Sequence, residues 1–351
     1  MFVNFKFQTP DLPKVSANSG KRKNSHVNRK EKTPSMFPHG ILLLTVFFLL
    51  SKATFAQKSG ETEKILNEAG KQIQLYREIF RNLLAEEVKS FEEFDKNEKP
   101  KEKTVVKSNF LAYLSGKNQV PVELRNVFEV NGKMIPDGQE RSEKFLAELQ
   151  KEKTYESELK RIVKESNRYD KNWNIHGLTL NEGLILSDNL RPYFDFQLVK
   201  RETIQGYEIY VLSYQQTRKS PFIRINSDGK TSQGASLDFE VEIPSALKKY
   251  DVFLAGKLWI DAQTYQIRRE ERNLVIQSPT PLIILSTIFD YQNSDFGILP
   301  PKSITFKLFR LRKNSSGTFS ASLESMVTFE YSKFRKTETE IRILDDDEEI
   351  Q

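Results

Sequence analysis

No cysteine occurs among the 351 residues. That absence removes disulfide frameworks, thiolate metal sites, cysteine nucleophiles and cysteine-linked lipid anchors in one step. Histidine is nearly missing as well. Of three, only His176 lies beyond residue 56, beside Trp173 and Asn174, where a structural role is expected. No nucleophile elbow or dinucleotide fingerprint is present. Gly229-Lys230-Thr231 ends like a phosphate loop, but Arg224 stands where such a loop requires glycine. The longest apolar run, Ile41–Leu50, is about half of the roughly 20 residues needed to span a bilayer. Neither enzymatic activity nor a metal or other cofactor is expected.

What is present is charge, unevenly placed. The formal net charge is +6, yet residues 1–56 alone hold nine Lys/Arg against Asp11 and Glu31. The remainder is close to neutral, so the basic total is no footprint for nucleic acid. The basic stretch Lys21–Lys32, the apolar run and the small residues Thr54-Phe55-Ala56 follow the order of an export signal. Cleavage is expected after Ala56, leaving no transmembrane helix and a periplasmic or secreted chain. Residues 1–56 thus form a leader, 57–344 a single domain, and 345–351 an acidic, disordered tail. The tail's consecutive acids, Asp345–Glu349, lack the alternate spacing of a calcium loop.

Within the domain, Ile65, Leu66, Ala69, Ile73, Tyr76, Phe80, Leu83 and Leu84 recur at helical spacing, predicting a helix from Glu61 to about Leu84. Strands are predicted at 87–94, 104–114 and 122–130, the last closed by the hairpin dipeptide Asn131-Gly132. A charged helical insertion follows at about 138–170. From Phe194 the pattern is strand after strand: 194–198, 207–216 after a turn at Gln205-Gly206, 237–243, 254–261, 265–274, 283–291, 303–309 and 325–334. No helix alternates with these, so the sheet should be antiparallel. Along 265–272, strict alternation places Gln266, Arg268, Glu270 and Arg272 on one face, a solvated ladder.

Gly256-Lys-Leu-Trp-Ile-Asp-Ala-Gln-Thr-Tyr-Gln-Ile267 is a hairpin in which Asp261 can accept hydrogen bonds from turn amides. Together with Arg201-Glu-Thr-Ile-Gln-Gly-Tyr-Glu-Ile-Tyr-Val211, it resembles the paired hairpins of the LolA/LolB superfamily of periplasmic lipoprotein carriers, in particular its larger secreted members. The order of elements over roughly residues 60–343 is similar too. The resemblance implies an α+β fold: a strongly curved, unclosed antiparallel half-barrel sheet covered by helices, with apolar space for acyl chains. No counterpart of the carrier's functional arginine can be aligned, and without cysteine the lipoprotein form of the acceptor is excluded.

On that reading, Phe194, Phe196, Leu198, Tyr210, Leu212, Leu258, Ile260, Ile304, Phe306 and Leu308 are the candidate lipid-binding residues. The same alternation is what any sheet beneath a helix needs, so core packing is the competing account of each. The partner would be a lipid or an acylated protein bound by a monomer, with no nucleic acid involved. The alternative is an envelope protein-interaction or sensing module with a filled core; a carboxylate hydrolase is the weaker third option.

Overall fold

The computed structural model describes residues 42–81, 83–115, 120–136, 144, 161–162, 164–169, 179, 183–226 and 237–336. Most of the predicted insertion, His176, the loop 227–236, the leader to residue 41 and the acidic tail lie outside these. One long helix, α1 (Leu42–Phe80), is followed by β1 (Leu83–Phe94), β2 (Pro100–Ser115), β3 (Val120–Val130) and β4 (Lys133–Met134). After the insertion come β5 (Phe194–Ile204), β6 (Tyr207–Gln216), β7 (Ile223–Ile225), β8 (Leu237–Phe239), β9 (Val252–Asp261), β10 (Ile267–Ile276), β11 (Leu282–Tyr291), β12 (Pro301–Lys313) and β13 (Phe319–Lys336). α1 runs unbroken through the expected cleavage point at Ala56.

Eleven strands form one sheet in the order β4-β3-β2-β1-β13-β12-β11-β10-β9-β6-β5. Every pairing in it is antiparallel, and β4 and β5 do not meet, so the sheet is unclosed. Two meanders are joined where the first strand pairs with the last, with Val88 opposite Glu330. The chain leaves the sheet at one edge, β4, and re-enters at the other, β5, and between them the described residues Ser166, Thr179 and Gly183 bond to the sheet.

Two of these contacts involve buried glutamates. Glu123 on β3 accepts hydrogen bonds from the backbone N–H and hydroxyl of Thr179, at 2.9 and 2.7 Å. Glu270 on β10 accepts one from the N–H of Gly183 at 3.3 Å. β3 and β10 are six strand spacings apart, about 29 Å in a flat sheet. The chain from Thr179 to Gly183 can reach at most about 14 Å. Glutamates six strands apart thus hold residues only four positions apart, in keeping with a sheet that curves around them as a half-barrel, with α1 and residues 183–193 on its concave side.

The concave face carries the core. Ile65, Leu66, Ala69, Ile73, Tyr76 and Phe80 of α1 are buried against Phe110, Phe329, Ile304, Phe306, Leu258 and Leu212 of the sheet, in one apolar cluster. Each of the Leu, Ile and Phe side chains among them contributes about 1.5–3 kcal/mol when fully removed from water. The Tyr76 hydroxyl donates to the Thr179 carbonyl at 2.8 Å, tying α1 to the crossing segment. Gly183 sits at φ +53°, and a Cβ there would lie 2.3 Å from the Ile73 side chain, so glycine is required on both counts.

Three expectations need correction. The helix ends at Phe80 rather than Leu84, because Leu83, Ala85, Glu87, Lys89 and Phe91 alternate as the buried face of β1. The strand expected at 237–243 shrinks to β8, which pairs in parallel with β7 outside the main sheet, and all three of its residues are buried. The buried Asp238 there is held by the Arg224 guanidinium. Finally, a register shift between Ile267 and Arg269 breaks the alternation along β10. Ile267, Glu270 and Arg272 therefore all point inward, and the expected solvated ladder does not form.

Candidate functional site

The turn after β9 behaves as its sequence indicates. Asp261 accepts from the N–H groups of Gln263 and Thr264 at 2.9 and 3.0 Å and from Arg268 Nε at 2.7 Å. Burial works against the carboxylate, but these donors outweigh it and hold Asp261 below the ordinary aspartate range.

Two groups of charged side chains lie inside the concave face. Glu87, Glu123 and Arg125 are wholly enclosed on β1 and β3: Arg125 Nε donates to Glu87 at 2.8 Å and its Nη2 to Glu123 at 2.9 Å. The guanidinium also lies 5.2 Å from the Phe110 ring and 5.5 Å from that of Phe329. Ser166 bridges β3 to the insertion, accepting from Arg125 N–H and donating to the Glu123 carbonyl. Burial raises Glu123, yet Arg125 and the Thr179 donors more than reverse this, and its carboxyl sits below the ordinary range. Burial opposes the charge on Arg125, but Glu87 and Glu123 raise it well above its usual value.

The second group is Glu270, Arg272 and Tyr214, on β10 and β6. Arg272 donates to Glu270 at 2.8 Å, and the Tyr214 hydroxyl lies 3.2 Å from Glu270 and 3.1 Å from the Glu271 carbonyl. Burial first, and the Glu270 charge second, push the Tyr214 phenol well above its usual range. Gly256 makes this reach possible, since a Cβ there would lie 2.5 Å from the Tyr214 hydroxyl. Both groups contain Glu-x-Arg on a strand, Glu123-Leu-Arg125 and Glu270-Glu-Arg272. That repeated spacing was the available signal, because residues two apart share a face.

The candidate ligand residues divide. Leu212, Leu258, Ile260, Ile304, Phe306 and Leu308 are buried in the central cluster, with Phe194 and Leu198 also buried nearer the β5 edge. Phe196 and Tyr210 are half-buried against it. A cavity of about 500 Å³ lies at that edge, between the start of the apolar face of α1 and the turn Arg191–Tyr193 leading into β5. Leu66, Pro192, Phe194 and Phe196 supply its apolar lining, and Glu63, Asp188, Arg191 and Asp195 its charges. Arg191 is engaged by Asn67 at 2.7 Å and by Glu63. Among the described residues no group of three or more His, Asp or Glu could hold a metal ion, and no helix is long and apolar enough to cross a membrane.

The fold is thus an unclosed antiparallel half-barrel bridged by a helix, with an open cleft at one edge. A family model described as preprotein translocase subunit Sec66 matches residues 36–216, just over half of the chain, and by that match the chain belongs to the Sec66 family. That family is unrelated to the LolA/LolB superfamily. The match closes at the end of β6, whereas the Gly256–Ile267 hairpin and β9–β13 lie beyond it.

Among solved structures, similarity is found to a DUF1329 family protein from Desulfovibrio piger (13% identity, 78% of this chain and 92% of that one, TM-score 0.31). A LolA superfamily protein from Nitrosomonas europaea matches at 11% identity over 80% and 96%, TM-score 0.29. An outer-membrane lipoprotein-sorting protein domain from Vibrio parahaemolyticus matches at 9% over 78% and 95%, TM-score 0.31. No curated protein matches.

Proposed function

We propose that this is a non-enzymatic periplasmic or secreted protein, a monomer, that holds an acyl chain of a lipid or lipoprotein in the cleft between α1 and β5. The cleft itself carries this reading. At about 500 Å³ it falls within the range of small-molecule sites, and its floor is apolar and aromatic. Ten methylenes buried there would contribute about 8 kcal/mol, enough for micromolar affinity. Of the ten predicted residues, Phe194 and Phe196 line the cleft; the other eight are not in its lining.

A fluorescent fatty-acid probe, with native mass spectrometry of the purified protein, tests the reading. Uptake in the micromolar range, lost by at least tenfold in a folded Phe196→Asp variant, supports it; a clean apo mass and no uptake reject it. Sequencing the N-terminus of the exported chain tests the localisation, with Gln57 as the expected first residue.

A second reading keeps the fold and assigns it to protein interaction. Two observations favour it: the centre of the concave face is filled by side chains and buried ion pairs, and the matched family is described as a translocase subunit. Absence of any lipid, with a defined partner recovered in its place, would select it.

A further inference from the structure

We infer that the cleft selects amphiphiles with a positively charged head, namely lipids ending in a primary ammonium group. The inference rests on the acyl-binding reading above and concerns the same cleft. Its lining carries three carboxylates, Glu63, Asp188 and Asp195, against a single guanidinium, Arg191. Arg191 is already committed to Glu63 and Asn67. No cation among the described residues pairs with Asp188 or Asp195, both exposed at the rim. Neighbouring cations are engaged with other groups, Lys200 with Glu202, Arg201 with Glu61, and Arg218 with the Pro192 carbonyl at 3.1 Å and the Tyr193 ring.

Leu66, Pro192, Phe194 and Phe196 thus form an apolar floor beneath a rim bearing two carboxylates without an ion-pair partner among the described residues. An acyl chain with a carboxylate or phosphate-only head would place like charges together, whereas an ammonium head places opposite charges together and offers three donors to the two aspartates. Aspartates exposed at a rim act through water, so the selectivity should be moderate and should weaken as salt screens it.

The test compares dodecylamine with dodecanoate, two chains of equal length with heads of opposite charge, by calorimetry below their micellar concentrations. Dodecylamine should bind about tenfold more tightly in low salt, since each exposed pair is worth up to about fivefold. The preference should shrink towards unity in the Asp188→Asn/Asp195→Asn double variant, with the dodecanoate affinity unchanged or improved. Equal or tighter binding of dodecanoate by the unaltered protein overturns the inference while leaving the acyl cleft intact. A preference that survives in the double variant also overturns it, because the selectivity then comes from elsewhere. If neither amphiphile binds, the acyl-cleft reading fails and this inference falls with it.

Discussion

Charged side chains occupy two places on the concave side, and they are treated in opposite ways. In the interior, Glu87, Glu123, Arg125, Glu270 and Arg272 are removed from water and matched to partners of opposite sign. At the β5 edge, Asp188 and Asp195 are exposed and have no ion-pair partner among the described residues. A buried ion pair earns little net stability, but breaking one is expensive. An exposed charge costs little and is open to a ligand. The interior charges therefore belong to architecture, holding the crossing segment on the sheet, and the edge charges belong to recognition.

The largest effect should come from breaking an interior pair. Glu123→Ala leaves Arg125 short of one of its two partners and frees Thr179, and should cost about 3–5 kcal/mol in urea unfolding. If the loss is under 1 kcal/mol, the interior charges are not holding the segment. A simultaneous Glu270→Leu/Arg272→Met replacement removes both members of the other pair. It should lose less than Glu270→Leu alone, which strands the buried Arg272 charge; both forfeit the acceptor of the Gly183 N–H, while the Tyr214 hydroxyl keeps the Glu271 carbonyl.

Acid gives a graded version of the same test. Glu123 and Asp261 both have carboxyls held below their ordinary values. For such groups the stabilisation is complete above the unfolded-state carboxylate range and disappears as pH falls through the depressed folded-state values. Stability should hold from pH 7 to about 5 and then fall steeply below about 4. Asp261→Asn should flatten part of that fall, and an unaltered acid limb would refute the assignment. The smallest effect belongs at the edge, where Asp195→Asn should change stability by less than about 0.5 kcal/mol while altering ligand preference. Leu258 and Phe306 have no exposed surface, so aspartate at either would report on folding before it reported on binding.

Much of this fold is written locally in the chain. Asn131-Gly132 and Gln205-Gly206 adopt the positive φ values that two-residue hairpins need, and both hairpins are found where those dipeptides fall. Asp261 caps its turn with its own side chain. Non-local effects were harder to read. Leu83 keeps the helical spacing from Phe80 and also begins an alternating strand, and only pairing with β13 and β2 decides between them. The inward turn of Glu270 and Arg272 depends on one irregular residue near position 268 that no alternation rule anticipates. The cleft was legible only through Phe194 and Phe196. Its charged rim comes from α1 and the approach to β5, which are brought together by tertiary packing.

Thr179 and Gly183 act as two pins that fasten one short stretch of chain to strands six places apart, through Glu123 and Glu270. Each pin is a single carboxylate, so one substitution undoes one fastening and leaves the other in place. The hold of the crossing segment on the sheet can therefore be loosened from either side independently.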